Sequence, residues 1–173
     1  MLSLDLNTLI EYADWDRAKW HEFFRQHGDQ ALQLSAGPHG DGRMETAADV
    51  VRHIFSAEKR YVERLTQRPL TDAASIPKDT VEALFGFGVR SRKELVDFIA
   101  GYPADQWDVP QTHAILGNSL TATPRKIMVH VVTHEIRHWA QLGTLFRLAG
   151  YKIDFRDFLF SPVLGGEFKA KGA

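Results

Sequence analysis

The chain has 173 residues, 44% of them hydrophobic, which is enough for one domain with its own core, and we predict a single domain over residues 1–173. Its 21 basic and 22 acidic side chains give a formal net charge of −1, so the composition indicates neither a nucleic-acid partner nor an anionic membrane. Cysteine is absent, which excludes disulfides, thiolate ligands and a thiol nucleophile supplied by the protein. Any metal site must therefore use nitrogen and oxygen donors.

The N-terminal sequence MLSLDLNTLIEY carries acidic residues where a secretory signal would have a basic and then an apolar stretch. No apolar run approaches the length of about 18 residues that a membrane-spanning helix needs. We therefore expect a cytoplasmic protein that has no membrane partner.

Three amphipathic segments occupy the first hundred residues. Apolar residues recur at helical spacing over residues 4–27, 46–67 and 80–100. Thr46 can cap the second helix, and Asp49 stands three residues later, in the position that completes a capping box. Gly86 and Gly88 weaken the prediction of the third helix, because each costs about 1 kcal/mol relative to alanine in a helix interior.

Residues 106–121 have a different pattern, in which Gly117-Asn118 is typical of the two-residue turn of a hairpin. One hairpin is too small to form a sheet fold, so we expect a lid or an edge feature on a helical body.

The aromatic residues Phe155, Phe158 and Phe160 lie in a predicted short terminal helix or turn. Such aromatic surface at a chain end usually docks on its own domain or on a second subunit, so a homodimer is also expected.

The longest helical pattern covers residues 123–150. Thr123 is a candidate N-cap, and Gly150 stands where a left-handed residue would end the helix. With the three earlier helices, this pattern predicts an all-α fold. We expect an antiparallel four-helix bundle, with a short hairpin before the last long helix and a small C-terminal helical segment.

The fourth helix carries three histidines at four-residue spacing, His130, His134 and His138. At about 100° per residue, they share a face with the apolar residues, so we expect all three imidazoles to point into the core. A buried imidazole needs a partner for each ring nitrogen, and three in one stripe are unfavourable unless they are hydrogen-bonded or hold an ion. The pattern therefore indicates a metal site.

Helix geometry limits which of these histidines can share one ion. Residues four apart lie about 6 Å apart along the axis, whereas residues eight apart lie about 12 Å apart. The pair is therefore either His130 with His134 or His134 with His138, and a further ligand must come from elsewhere in the chain. His53 is a candidate, because it lies at the edge of the apolar stripe of the second helix.

The residues HEIRH at 134–138 match the HExxH pattern, in which two helical histidines hold zinc and the glutamate activates water. In such enzymes the third ligand normally follows the motif, yet no histidine occurs after His138. Glu135 lies about 100° from His134 around the helix, so it can reach an ion only at the edge of the site. A metal-dependent hydrolase is therefore the weaker hypothesis.

Four motifs carry a resemblance to a known family: EYADWD in the first helix, VRHIFSAEKRY in the second, HVVTHEIRHWAQLGTLFRLAG in the fourth, and DFRDFL in the tail. With these motifs the chain resembles the DinB/YfiT family of metal-binding four-helix bundles. The resemblance implies that His53, His134 and His138 bind a divalent ion, zinc or nickel, and that His130 lies outside the coordination sphere. It thus selects one of the two pairs that spacing leaves open.

Three neutral imidazoles leave coordination positions open, which is typical of catalytic rather than structural sites. The resemblance further implies transfer of a low-molecular-weight thiol, such as bacillithiol or mycothiol, to a small electrophile, or a thiol-dependent isomerisation. A non-catalytic metal-binding stress-response protein is a third hypothesis. The sequence identifies no catalytic residue, but Gln141 lies close in phase to His134 and is a candidate to contact a ligand imidazole.

Overall fold

The computed structural model describes residues 5–37, 44–115 and 117–168. Its four α-helices are α1 Leu6–His27, α2 Ala47–Leu65, α3 Val81–Gly101 and α4 Pro124–Leu148. A two-stranded antiparallel sheet, formed by β1 Gln111–Ile115 and β2 Asn118–Ala122, precedes α4. A short 3-10 helix at Phe158–Phe160 matches the predicted C-terminal helical segment. Within the described ranges, no helix has the length and apolar character needed to cross a membrane.

At the start of α2 and α4, an N-cap side chain accepts a hydrogen bond from a backbone amide that has no partner within the helix. Thr46 accepts a hydrogen bond from the Asp49 amide at 3.3 Å, and the Asp49 carboxylate accepts one from the Thr46 amide at 3.1 Å. This is the predicted capping box. Thr123 likewise caps α4, and Gly150, with a φ of 86°, has the left-handed conformation predicted beyond the end of α4.

Each helix packs mainly on two others: α1 contacts α3 and α4, and α2 contacts the same two helices. The α2 and α4 helices run antiparallel, as their ring contacts show. Phe55, in the middle of α2, contacts Trp139. Tyr61, later in α2, contacts His130, which comes earlier in α4. The start of α2 therefore faces the end of α4.

The predicted antiparallel arrangement is wrong for α2 and α3, which run parallel. Phe55 contacts Phe85, and Lys59, one turn later in α2, binds Glu94 at 2.6 Å. The connection over residues 66–80 permits this direction, because an extended segment of that length spans up to about 50 Å and α2 is only about 28 Å long. A shorter loop would have forced the two helices to be antiparallel.

The α1 and α4 helices also run parallel. Arg17 binds Glu135 at 2.7 Å, and Phe24, two turns later in α1, contacts Phe146, which comes later in α4.

An aromatic core fills the space between the helices. Its largest fully buried members are Trp20, Trp139, Phe24, Phe55, Phe85 and Phe146. The stacked rings of Trp20 and Trp139, with centroids 5.4 Å apart, join α1 to α4 at its centre.

The predicted hairpin is present, but its turn is displaced by one residue. Ile115 pairs with Asn118, so Asn118 belongs to β2 and positions 116 and 117 connect the strands. Leu116 lies outside the described residues. Gly117 has a φ of 76°, which explains why glycine is suited to this turn.

The C-terminal segment packs against its own chain. The Tyr12 hydroxyl donates a hydrogen bond to the Arg156 carbonyl at 2.6 Å, and the Arg156 guanidinium lies 4.2 Å from the Trp20 ring centroid. Phe158 contacts Tyr12. These contacts agree with docking on the same domain, which was one of the two alternatives for the aromatic tail.

Gly88 provides a test of the packing between α2 and α3. A Cβ at this position would lie 2.7 Å from ring atoms of Phe55, whereas a Cβ at Gly86 would meet nothing closer than the flexible Arg90 side chain at 3.7 Å. We expect Gly88→Ala to lower the free energy of unfolding by about 1–3 kcal/mol through overpacking. Gly86→Ala, the matched control, should raise it by up to about 1 kcal/mol. Urea denaturation measures both values, and equal stabilisation by the two changes would contradict the packing described.

Candidate metal centre

Three imidazoles from two helices converge on one point. The Nε2 atom of His134 lies 3.0 Å from Nε2 of His53 and 3.0 Å from Nε2 of His138. His134 and His138 stand one turn apart on α4, and the antiparallel packing of α2 brings His53 against them. The ligand atoms of the three residues lie within 4.8 Å of one another, and this group can hold a metal ion. These are the three residues that the family resemblance selects.

The nitrogen separations fit a shared ion better than mutual hydrogen bonds. Zinc–nitrogen bonds of 2.0–2.1 Å in tetrahedral geometry place ligand nitrogens about 3.3 Å apart, close to the observed separations. A neutral imidazole Nε2 carries either one proton or one lone pair, so hydrogen bonding cannot satisfy both close neighbours of His134 well. Three imidazoles around one point are instead a donor set that suits divalent ions such as zinc and nickel.

Gln141 orients one of these rings. Gln141 follows His138 by about one helical turn, and its Oε1 atom lies 2.6 Å from Nδ1 of His138. An amide oxygen only accepts, so Nδ1 of His138 carries the proton and Nε2 presents its lone pair. The predicted contact between Gln141 and a candidate ligand imidazole is therefore present, and its partner is His138.

The surroundings of His134 and His138 favour the neutral form of their imidazoles. Burial, together with repulsion between the protonated forms of His134 and its neighbours His138 and His53, lowers the pKa of His134 to about 3. Burial also lowers the pKa of His138, whose side chain is almost completely enclosed. Neutral imidazole is the form that binds a metal, so these rings are ready to bind at neutral pH.

His130 does not join the group. It is exposed, and its ring packs edge-on against Tyr61 with centroids 5.4 Å apart. The prediction that all three α4 histidines point into the core is therefore wrong for His130. Four residues advance a helix by about 400°, so each step rotates the side chain by about 40°. Two such steps separate His130 from His138, so the His130 side chain is rotated by about 80° and lies at the surface.

Glu135, the glutamate of the HExxH pattern, has its carboxylate inside the bundle, about 100° around α4 from His134. Arg17 binds both of its oxygens, at 2.8 Å and 2.7 Å, and Trp139 donates to one of them at 3.0 Å. Arg92 also binds this carboxylate. Burial alone would raise the pKa of Glu135, but the two arginine charges outweigh burial and hold this pKa below its ordinary value.

These contacts belong to a buried ionic network that the sequence interpretation missed. Arg17 and Arg92 both bind Glu58 as well as Glu135, and Arg17 donates to the Gly88 carbonyl at 3.1 Å. One signal was available in the sequence. Arg17 stands on the apolar stripe of α1, where a charged side chain must find a buried partner.

Two cavities lie near the histidine group, one through Gln141 and the other through His53, and Met44 lines both. The first has a volume of about 210 Å³, includes Gln141 and is otherwise mainly apolar, with Val50, Leu145 and Leu148 in its wall. The second has a volume of about 220 Å³ and more polar residues in its wall, among them His53, Arg52, Arg60 and Asp49. The histidine group therefore has space beside it for small molecules of two different kinds.

Comparison with known proteins agrees with the geometry. In a search of curated proteins, no sequence matches the chain. A scan of protein-family models, however, matches residues 12–142 to the model described as the DinB superfamily. The matched range begins in α1, ends in α4 and contains all three converging histidines. Because it covers more than half of the sequence, the chain belongs to the DinB superfamily.

Proposed function

We propose that the protein binds one divalent ion, zinc or nickel, through His53, His134 and His138, and that it uses this ion to transfer a low-molecular-weight thiol to a small electrophile. The observation that carries the proposal is the convergence of the three Nε2 atoms. Membership in the DinB superfamily supports the metal.

The chemistry of the site favours a bound reactant over a purely structural ion. Three neutral imidazoles satisfy only part of a coordination sphere, which leaves at least one position for a substrate. A divalent ion held by His53, His134 and His138 would lower the pKa of a bound thiol, so that the sulfur would be nucleophilic at neutral pH. Gln141 keeps the His138 ring in the tautomer that this site needs.

The chain itself contains no thiol, so the thiol must be a substrate. A transfer reaction has two reactants, and the two cavities beside the histidines supply a polar and an apolar space for them. In the reaction with a halogenated electrophile, the thiol loses its proton to solvent and forms a sulfur–carbon bond. The halide leaves with the electron pair of the bond that breaks.

Hydrolysis by the HExxH mechanism has less support. That mechanism needs the glutamate to face a water on the ion, whereas the Glu135 carboxylate binds Arg17, Arg92 and Trp139 within the bundle. A general base must lie within hydrogen-bond reach of the proton that it takes. Glu135 is therefore assigned a structural role.

The first prediction from the proposed function concerns metal content. After loading with zinc or nickel and desalting, we expect native protein to retain about one ion per chain and His134→Ala to retain almost none, because two imidazoles hold an ion poorly. His130→Ala is the matched control and should retain as much metal as native protein. Inductively coupled plasma mass spectrometry measures the metal, and circular dichroism checks the fold. Equal metal content in the two variants would contradict the proposed ligands.

The second prediction concerns turnover. Metal-loaded native protein should accelerate the reaction of a small thiol with monobromobimane, and His134→Ala should leave only the uncatalysed rate. The reaction is followed by fluorescence across a panel of low-molecular-weight thiols. Full metal loading without acceleration by any thiol would instead support the non-catalytic metal-binding hypothesis.

The third prediction concerns Glu135. Glu135→Gln removes one charge from a buried network and leaves two arginines short of a partner, so the free energy of unfolding should fall by about 3–5 kcal/mol. Glu82→Gln is the control, because Glu82 pairs with Arg25 on the surface and its removal should have little effect. Urea denaturation measures both variants. Unchanged stability of Glu135→Gln, together with loss of a water-dependent activity, would favour the hydrolase hypothesis.

A further inference from the structure

The cavity beside His53 contains an arginine that forms no ion pair within the described residues. Arg52 binds the Asp49 carboxylate at 2.9 Å, and Lys78 binds the same carboxylate at 2.6 Å. Arg60 differs from both. Within the described parts of the chain, no carboxylate pairs with its guanidinium, and its buried Nε has no hydrogen-bond partner.

A buried donor without a partner is unfavourable, and native proteins rarely leave one without a reason. The Asp49 carboxylate cannot serve Arg60 in addition, because it already caps α2 and binds two cations. A guanidinium offers parallel N–H donors that match the geometry of a carboxylate or a phosphate. An anionic group of a ligand would therefore satisfy Arg60.

The position of Arg60 relates this anion site to the histidines. Arg60 follows His53 by seven residues, which is two helical turns, and both side chains line the same cavity. Their backbone positions are about 10 Å apart along the axis of α2. One small molecule lying along the cavity can therefore contact His53 and the guanidinium, and Nε2 of His53 lies 3.0 Å from Nε2 of His134 in the histidine group.

We propose that this cavity binds the anionic end of the thiol substrate, with the carboxylate or phosphate on Arg60 and the sulfur at the three imidazoles. The inference rests on the proposed function and specifies the chemical class of its substrate. The apolar cavity lined by Val50, Leu145 and Leu148 then remains for the electrophile.

The test compares two thiols of equal length, 6-mercaptohexanoate and 6-mercaptohexan-1-ol, on protein loaded with cobalt(II). Sulfur bound to cobalt(II) gives a charge-transfer absorbance, so titration yields a dissociation constant without any turnover. Native protein should bind the carboxylate thiol at least about tenfold more tightly than the alcohol, which corresponds to about 1.4 kcal/mol.

Arg60→Gln should remove this preference, and Arg60→Lys, which keeps the charge but not the paired donors, should keep part of it. Arg90→Gln is the matched control, because Arg90 is an exposed arginine of α3. It should bind both thiols as native protein does. Cobalt binding by each variant verifies that the histidine group is intact.

The outcomes separate the two proposals. If both thiols give the absorbance band with equal affinity, or if Arg60→Gln keeps the preference, the assignment of the anion site is wrong while thiol binding at the metal stands. If cobalt binds but neither thiol gives a band, the proposed thiol chemistry is wrong and the inference falls with it.

Discussion

The arrangement of the site depends on the buried ion pairs of Glu135. Its carboxylate is held by Arg17 from α1 and by Arg92 from α3, and both arginines also bind Glu58 from α2. All four helices therefore meet in one network. A buried charge that loses its partner is strongly unfavourable, so the network fixes the rotation of α4 about its axis. With Glu135 turned inward, the neighbouring His134 must face the side where α2 packs.

This constraint separates a sequence motif from the chemistry with which it is commonly associated. HExxH requires that two histidines and a glutamate serve one ion. Here the two histidines meet a third from another helix, while the glutamate stabilises the fold. The same five letters therefore describe a site whose candidate ligands come from α2 and α4 and in which the Glu135 carboxylate is held by arginines. The function follows from the surroundings of each side chain and not from the motif.

The two cavities near the histidine group differ in polarity. Gln141 and an apolar cavity lie toward the end of α4, and a cavity with two arginines lies along α2. Such an asymmetric site offers separate spaces for the two reactants of the proposed group transfer. Superfamily membership supports a metal at this position. The polarity of the cavities belongs to this chain and gives the proposed substrate its chemical class.

The sequence by itself determined the features that depend on residues a few positions apart. The cap at Thr123 and the one-turn spacing of His134 and His138 required no knowledge of the rest of the chain. Tertiary structure decided the parallel direction of α2 and α3, the exposure of His130, and the burial of Arg17 with its carboxylate partners. Helix direction follows from which faces pack after a long connection, and a buried charge is tolerated only where distant residues supply its counter-charge. Both depend on contacts between residues far apart in the sequence, which local patterns do not contain.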